Sequence, residues 1–370
     1  FHKMIAVVSC HHFPDDERIY HREIKTLLKH NFSIQYYTRS KNSIDLSKTG
    51  LIHVNSSQNF SISDYSQKVY KQLNDNRPPE IFHFHEPELF PLAKIVKENF
   101  NSKIIYDVHE DYPSLIQTFS QWRGIPGVFK KYFWLRNEKK FLSSIDKIIL
   151  ASPAIINSEY RKHGFSPTIL ENFPITNFIK IPDIKSTRGN TIIYHGHLGP
   201  ERGIEELIRS IFIVVTYINN VSLLLFGSFR TEKFKAKIIS LINELDLNNN
   251  VKWRGQIPHE NIWSYLAKSS IGVIPFLDNK LTRIGTPTKL FEFMLSGCRI
   301  IASDLPPIRQ YKVDGIIFSK PGDIKSLAKN ILHGLSKKNI KDLENNQNRI
   351  IKKYNWEAID QTLVNLYKKL

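Results

Sequence analysis

The sequence predicts an α/β protein of two domains, each a parallel sheet with helices on its faces. Three observations carry that prediction. Strand-like apolar runs alternate with helix-like stretches almost from end to end, as βαβ units require. The 370 residues exceed what one ordinary core takes, and two domains of roughly 150–190 residues fit them. A stretch of Pro, Asn, Thr, Ser and Lys without periodicity interrupts the series between Asn172 and Asn190 and reads as a linker. The expected boundaries are a first domain over 1–172, a linker over 173–190 and a second domain over 191–355.

In the first domain, Met4–Ser9 reads as a buried strand, and Ile19, Ile24, Leu27 and Leu28 give Asp15–His30 a helical spacing. Strands follow at Ser33–Tyr37, Ile81–Phe84, Lys103–Val108 and Lys147–Ala151. The second series has strands at Thr191–Tyr194, Val221–Phe226, Asn250–Trp253, Ile271–Pro275, Arg299–Ala302 and Gly315–Phe318. Helices at Gly203–Tyr217, Glu232–Leu245, His259–Lys268, Thr288–Ser296 and Asp323–Leu335 accompany them. The segment Trp356–Leu370 is an amphipathic helix able to pack back on the first domain.

With 41% hydrophobic, 12% aromatic and 24% charged residues, disorder, collagen and coiled coil are excluded. A formal charge of +17 favours an anionic partner: nucleic acid, a membrane surface or a phosphorylated substrate. No helix-turn-helix, RNP-type strand or zinc finger supports nucleic acid. Only Cys10 and Cys298 are present, far apart in apolar contexts, which favours a reducing compartment. Phe1-His2-Lys3 leads directly into a strand rather than a signal peptide, and Ile211–Phe226 is broken by Asn219-Asn220 and too short to span a bilayer. A cytoplasmic protein is expected. The segment Trp122–Lys140 holds six basic residues against one acidic, with interleaved aromatics. It fits peripheral attachment to the inner face of an anionic membrane, and equally a helix with a buried aromatic face.

Two glycine-bearing turns carry chemistry. Gly196-His197-Leu198-Gly199-Pro200-Glu201-Arg202-Gly203 follows a strand and opens a helix, so its backbone N–H groups and Arg202 suit a phosphate. Gly285-Thr286-Pro287-Thr288-Lys289-Leu290-Phe291-Glu292 again precedes a helix, with a cation and a carboxylate on its first turns. Each segment alone is also read as a tight connection or a capped helix. His83-Phe84-His85-Glu86 and His11-His12-Phe13-Pro14-Asp15-Asp16 contain metal-ligand types, but no His-Glu-x-x-His helix or Cys cluster accompanies them.

Together these segments resemble the GT-B glycosyltransferases, over nearly the whole chain, and within them the retaining enzymes of family 4 (glycosyl transferases group 1). The group's "G-R-L-x-x-x-K-G" stands here as Gly196-His197-Leu198 through Arg202-Gly203. Its base-binding "F-x-G-x-[VI]-P" stands as Trp253-Arg254-Gly255-Gln256-Ile257-Pro258. "K-x-x-E" stands as Lys289 and Glu292, followed by Gly297 and Ile300-Ile301-Ala302-Ser303; Gly315-Ile316-Ile317-Phe318 and Gly322-Asp323 close the series. Arg202 stands in place of the motif's Lys, and two further departures matter: His197 replaces Arg, and Ile284 replaces the first Glu of the E-x7-E pair.

The resemblance implies two Rossmann-like domains facing across a cleft, and sugar transfer from a nucleoside-diphosphate sugar, UDP or GDP type, with retention. It implies diphosphate contacts at Gly196, His197, Arg202, Gly285, Thr286 and Lys289, ribose at Glu292, and base at Arg254, Gln256 and Ile257. His109, directly after the strand ending at Val108, would act beside the donor sugar; His12, Asp16, Arg18, His85 and Glu86 would shape the acceptor side. The acceptor would be a glycan or lipid-linked glycan, and neither a cofactor nor a metal would be required. A nucleotide-sugar epimerase of the same architecture and a metal hydrolase built on the His clusters are the alternatives.

Overall fold

The computed structural model describes residues 3–41, 50–110, 112, 136, 138–157, 160–177, 179–185, 188–337 and 339–370. Most of Trp122–Lys140 lies outside the described residues. The chain packs as two units, Phe1–Asn172 with Trp356–Leu370, and Phe173–Asn355.

The first unit is built on seven parallel strands: β1 (Met4–Val8), β2 (Ser33–Arg39), β3 (Leu51–Ser56), β4 (Ile81–Phe84), β5 (Lys103–Val108), β6 (Lys147–Leu150) and β7 (Thr168–Ile169). Their order is β3-β2-β1-β4-β5-β6-β7. Ile5 pairs with Ile34 on one side and Ile81 on the other, and the central strands are near-continuous apolar runs because both faces are covered. The strand order reverses between β1 and β4, so the carboxyl ends of these strands bring Ser9–His12, His85-Glu86 and His109 together. The edge strand β3 escaped sequence reading because it is half exposed and mixes Ile52 and Val54 with His53 and Asn55.

The helix expected over Asp15–His30 starts later. A wide π-type turn, Ile19–Ile24, runs into α1 (Lys25–Lys29). Asp16 Oδ1 accepts from the N–H of Arg18 at 2.8 Å and Ile19 at 2.9 Å, so a carboxylate closes the first turn. Helices α2 (Ile62–Asp75) and α3 (Phe90–Phe100) complete the described βαβ connections of this unit.

The second unit has six parallel strands: β8 (Thr191–His195), β9 (Ser222–Phe226), β10 (Val251–Trp253), β11 (Ile271–Ile274), β12 (Arg299–Ser303) and β13 (Ile317–Ser319), in the order β10-β9-β8-β11-β12-β13. Its helices are α4 (Ile204–Val215), α5 (Glu232–Glu244), α6 (His259–Leu266), α7 (Lys289–Ser296), α8 (Pro306–Arg309), α9 (Ile324–Ser336) and α10 (Lys341–Lys352). The switch point here lies between β8 and β11. Gly203 stands beside it at φ +67°, where a Cβ would come within 1.8 Å of the Pro275 carbonyl oxygen, so only glycine lets α4 start this close to β11.

Residues 173–190 are less loose than their composition suggests and belong to the second unit. Phe173 packs edge-on to Phe291 at 4.8 Å, and the Arg188 guanidinium donates to the carbonyls of Ser296 at 2.7 Å, Ser269 at 2.9 Å and Gly297 at 3.0 Å. The low apolar content hid this because the packing uses main-chain acceptors. The last helix, α11 (Asp360–Lys368), belongs to the first unit: Trp356 Nε1 donates to Thr26 Oγ1 at 2.9 Å, and Tyr367 and His83 share a 2.6 Å hydrogen bond.

Candidate functional site

At the carboxyl ends of β8 and β9, a cavity of about 240 Å³ is lined by His195, Gly196, His197, Gly227, Ser228, Gln256, Ile257 and His259, with Phe226 and Ile262 behind. The carboxyl ends of parallel strands leave main-chain groups unpaired by the sheet, and β8 is also one of the two strands at the switch point of this sheet. Gly227, at φ +127°, would put a Cβ 2.0 Å from the Gly196 carbonyl oxygen, so the two glycine turns touch through their backbones.

Two cations approach this turn. Lys289 opens α7, and its Nζ lies 4.9 Å from the Tyr194 ring centroid and 5.0 Å from that of Phe276. A Cβ on Gly196 would sit only 3.2 Å from that ammonium. Burial, with Arg202 nearby, pushes the Lys289 amine down to about 7, and Glu292 opposes this only in part. Arg202 lies over the same Phe276 ring at 4.5 Å. Its neighbour Glu201 accepts from Arg230 Nη2 at 2.8 Å and Nε at 3.1 Å, and the same oxygen lies 3.5 Å from Arg202 Nε, so the two arginines share one carboxylate. His197 is held below the ordinary histidine range by burial and by Arg230, Arg202 and Lys289, so it is a neutral hydrogen-bonding group.

Glu292, one turn along α7, is buried between two histidines. Its Oε1 meets His259 Nε2 at 2.6 Å and its Oε2 lies 3.0 Å from His195 Nε2. Burial alone would raise this carboxyl, but the two rings outweigh it and hold it well below the usual carboxylate range. Neither histidine was foreseen from the sequence; His259 was detectable only as the residue after Pro258 at a helix start, 33 positions from its partner.

The structure therefore brings together Gly196, His197, Gln256 and Ile257 around the cavity; Lys289, Arg202 and Glu292 do not line it, but Lys289 stands behind Gly196, Glu292 contacts the lining residues His195 and His259, and Arg202 shares the Phe276 ring with Lys289. It does not bring Gly285, Thr286 or Arg254 to the lining. The Thr286 hydroxyl is engaged with Tyr311 at 3.1 Å and Gln310 at 3.0 Å, and Arg254 is exposed beyond β10.

In the first unit the expected residues form a polar cluster at the strand ends. Arg18 clamps Asp107 with Nε and Nη2 at 2.8 and 2.9 Å and donates from Nη1 to Leu170 O and Asn172 Oδ1, both at 2.7 Å. His109 Nε2 lies 3.2 Å from Asp107 Oδ2 and 3.1 Å from His85 Nδ1. Burial brings the His109 ring down to about 4 despite Asp107, so it is neutral at physiological pH. Glu86 accepts from Ser9 Oγ at 2.6 Å and from the N–H of Cys10 and His11 at 3.1 Å, holding the loop after β1. Arg18, His85 and Glu86 are thus interior groups whose visible work is to hold the loops. His12 and Asp16, 3.0 Å apart, are the more accessible pair. Glu23, fully buried beside Arg18, was missed because an acid in a helical stretch reads as solvated.

Residues 177–356 match the family model described as glycosyl transferases group 1. No curated relative matches the sequence. Among solved structures, sucrose-phosphate synthase from Thermosynechococcus elongatus aligns with a TM-score of 0.77 at 19% identity, over 99% of this chain and 98% of that one. Anabaena Alr3699/HepE in complex with UDP-glucose aligns at 0.75 and 14% identity over all of both chains. A glycosyltransferase from Rickettsia africae aligns at 0.71 and 14% identity, over 100% of this chain and 98% of that one. At such identities the likeness is one of fold, and that fold is GT-B.

Proposed function

We propose, from the match of residues 177–356 to the glycosyl transferases group 1 model, that this chain is a glycosyltransferase that moves a sugar from a nucleoside-diphosphate sugar to a hydroxyl of a glycan or lipid-linked glycan. The observation that carries the donor half is the cavity at the β8 and β9 ends, with one lysine and one arginine beside its glycine turn. In this reading the diphosphate lies on Gly196 and His197 with Arg202 and Lys289, the ribose hydroxyls bond Glu292, and the base meets Gln256 and Ile257. Arg254 is assigned to the rim; Gly285 and Thr286 shape the start of α7. His109 is assigned to the reacting sugar, and His12 with Asp16 to the acceptor.

Transfer breaks the bond between the anomeric carbon and the phosphate oxygen and forms one to the acceptor oxygen. The acceptor proton passes to the leaving phosphate, with retention. Ile284 supplies no carboxylate to that step, so stabilisation of developing charge falls to the diphosphate and its two cations. No cofactor is needed for this chemistry.

Among the described residues no helix is long and apolar enough to cross a membrane. We assign the +17 charge and the basic aromatic segment 122–140 to reversible contact with an anionic cytoplasmic membrane surface.

The test is a thermal-shift panel with UDP, GDP, ADP and CDP. A ligand at 100 times its Kd stabilises by about 2.7 kcal/mol. UDP heads the panel because the Anabaena neighbour holds UDP-glucose. A shift with one nucleotide that disappears in Lys289→Ala supports the assignment; no shift with any of the four removes the donor site from this cavity.

A further inference from the structure

We infer a buried cation site in the first unit, held by Glu23, His83 and His85 with Asp107 beside them as the outer partner, and suited to a zinc-type dication. The four residues come from the wide turn Ile19–Ile24 and from the ends of β4 and β5. One donor atom of each lies within 4.8 Å of the others, and none of the residues is more than 1% exposed. The inference concerns the scaffold of the first unit and stands apart from the proposed transfer reaction.

Unsatisfied atoms carry the argument. Among the described residues, His83 Nε2, His85 Nε2 and both carboxylate oxygens of Glu23 are buried without a hydrogen-bond partner, the Arg18 guanidinium facing Glu23 Oε1 at 3.3 Å without forming one. Each such group costs about 1–3 kcal/mol, and three side chains bearing that cost at one spot call for a shared guest. The opposite ring nitrogens are committed. His83 Nδ1 bonds the Tyr367 hydroxyl at 2.6 Å, and His85 Nδ1 lies 3.4 Å from Asp107 Oδ2 and 3.1 Å from His109 Nε2. With Nδ1 carrying the proton in both rings, each Nε2 keeps its lone pair free, the arrangement by which outer carboxylates and hydroxyls orient histidine ligands.

Arg18 sharpens the choice of guest. It clamps both oxygens of Asp107 and lies 3.3 Å from Glu23 Oε1, so one guanidinium serves two carboxylates. Either a proton on Glu23 or a cation must offset the remaining charge. A single proton on Glu23 reaches one acceptor and leaves the other imidazole nitrogen orphaned; a cation takes both. Two imidazoles and a carboxylate suit zinc rather than magnesium or calcium. Zinc donors at about 2.0–2.2 Å sit closer together than 4.8 Å, so loading draws the rings inward by about an ångström. With no exposed ligand, the ion enters as the unit folds and then ties β4, β5 and the turn after β1 together.

The full chain, expressed in zinc-supplemented medium and dialysed against metal-free buffer, should retain close to one equivalent of zinc by mass spectrometry. Growth with cobalt should give the visible bands of four-coordinate Co²⁺ with nitrogen and oxygen donors. His83→Gln and Glu23→Gln should each lose most of the metal, with folding checked by circular dichroism. His11→Ala should not, although it dismantles the more exposed group of Cys10, His11 and Glu88. Should the core variants fail to fold, the cobalt spectrum of the unaltered chain decides. A folded wild-type chain free of metal and without cobalt bands overturns the site in favour of a protonated Glu23. Metal lost in His11→Ala, or kept in a folded Glu23→Gln, overturns it equally.

Discussion

The two sheets place polar residues at equivalent strand ends and use them in opposite ways. In the first unit, Arg18, Asp107 and Glu86 spend their hydrogen-bonding capacity on one another and on neighbouring loops, with little solvent exposure. In the second, Lys289 and Arg202 lie against aromatic rings beside a glycine turn, and a cavity opens where the first unit has a filled cluster. A charge matched inside the fold contributes rigidity. A charge left facing rings is expensive to bury and ready for an incoming anion. The same topology thus yields a fixed presenting surface in one unit and a receptive one in the other.

Arg18→Ala should break the contrast most forcefully. Removing one partner of a buried pair costs about 3–5 kcal/mol, because the other charge stays behind. Urea denaturation should show that loss, while nucleotide affinity in the folded protein stays unchanged. A loss under about 1 kcal/mol would mean that the cluster is not the rigid element described.

Lys289→Ala and Arg202→Ala should have the reverse profile: no loss of stability of the kind seen for Arg18, with Lys289→Ala relieved of a buried charge, and nucleoside-diphosphate binding weakened roughly 10–150-fold, from about 1.5–3 kcal/mol per charge-assisted contact. Calorimetry with unchanged affinity in both variants would erase the receptive half of the comparison.

Acidity separates the two further. Lys289 titrates near 7 in the folded chain against an ordinary 10.5. Between those values the unfolded chain binds the extra proton, so this residue makes stability rise with pH from about 7 to 10.5. A bound diphosphate favours the charged amine, so nucleotide affinity should fall as pH climbs above about 7, by at most tenfold per unit. Melting curves and calorimetry in buffers of different ionisation heat should show opposite slopes and proton uptake on binding. Both signatures should vanish in Lys289→Met. Parallel slopes would contradict the assignment.

The smallest effect is expected at Glu292. Glu292→Gln should weaken binding severalfold, about 1 kcal/mol, and the loss should shrink with a 2′-deoxynucleotide. An equal loss with both ligands would make the carboxylate a partner of His195 and His259 alone.

Which of these features were legible in the sequence follows from physics. The inner strands of both sheets were readable because parallel strands covered on both faces are unbroken apolar runs, as in β4 and β11, whereas the two-residue edge strand β7 is too short to show a pattern. The glycine turn after β8 was readable because a strand, a glycine and a helix start are adjacent in the chain. Edge strand β3 was not, because exposure dilutes its pattern. The pairing of Glu292 with His195 and His259 was invisible because it joins three elements distant in sequence. Asp107 and Glu23 were opaque for another reason: composition cannot tell a solvated acid from one clamped by a buried arginine. Arg188 misled similarly, since one more cation in a polar stretch that also holds Lys180 and Lys185 gives no sign that three carbonyls await it.

The return of the last helix to the first unit has a consequence for the order of events on the ribosome. Trp356 and Tyr367 fill places beside Thr26 and His83, so the first unit, though made first, lacks part of its interior until the second has been synthesised. At 5–20 residues per second that interval lasts roughly 10–40 s. The second unit is formed from one continuous segment and needs nothing made after it. Nascent first units therefore wait with an open apolar seam, a natural place for a chaperone to hold them.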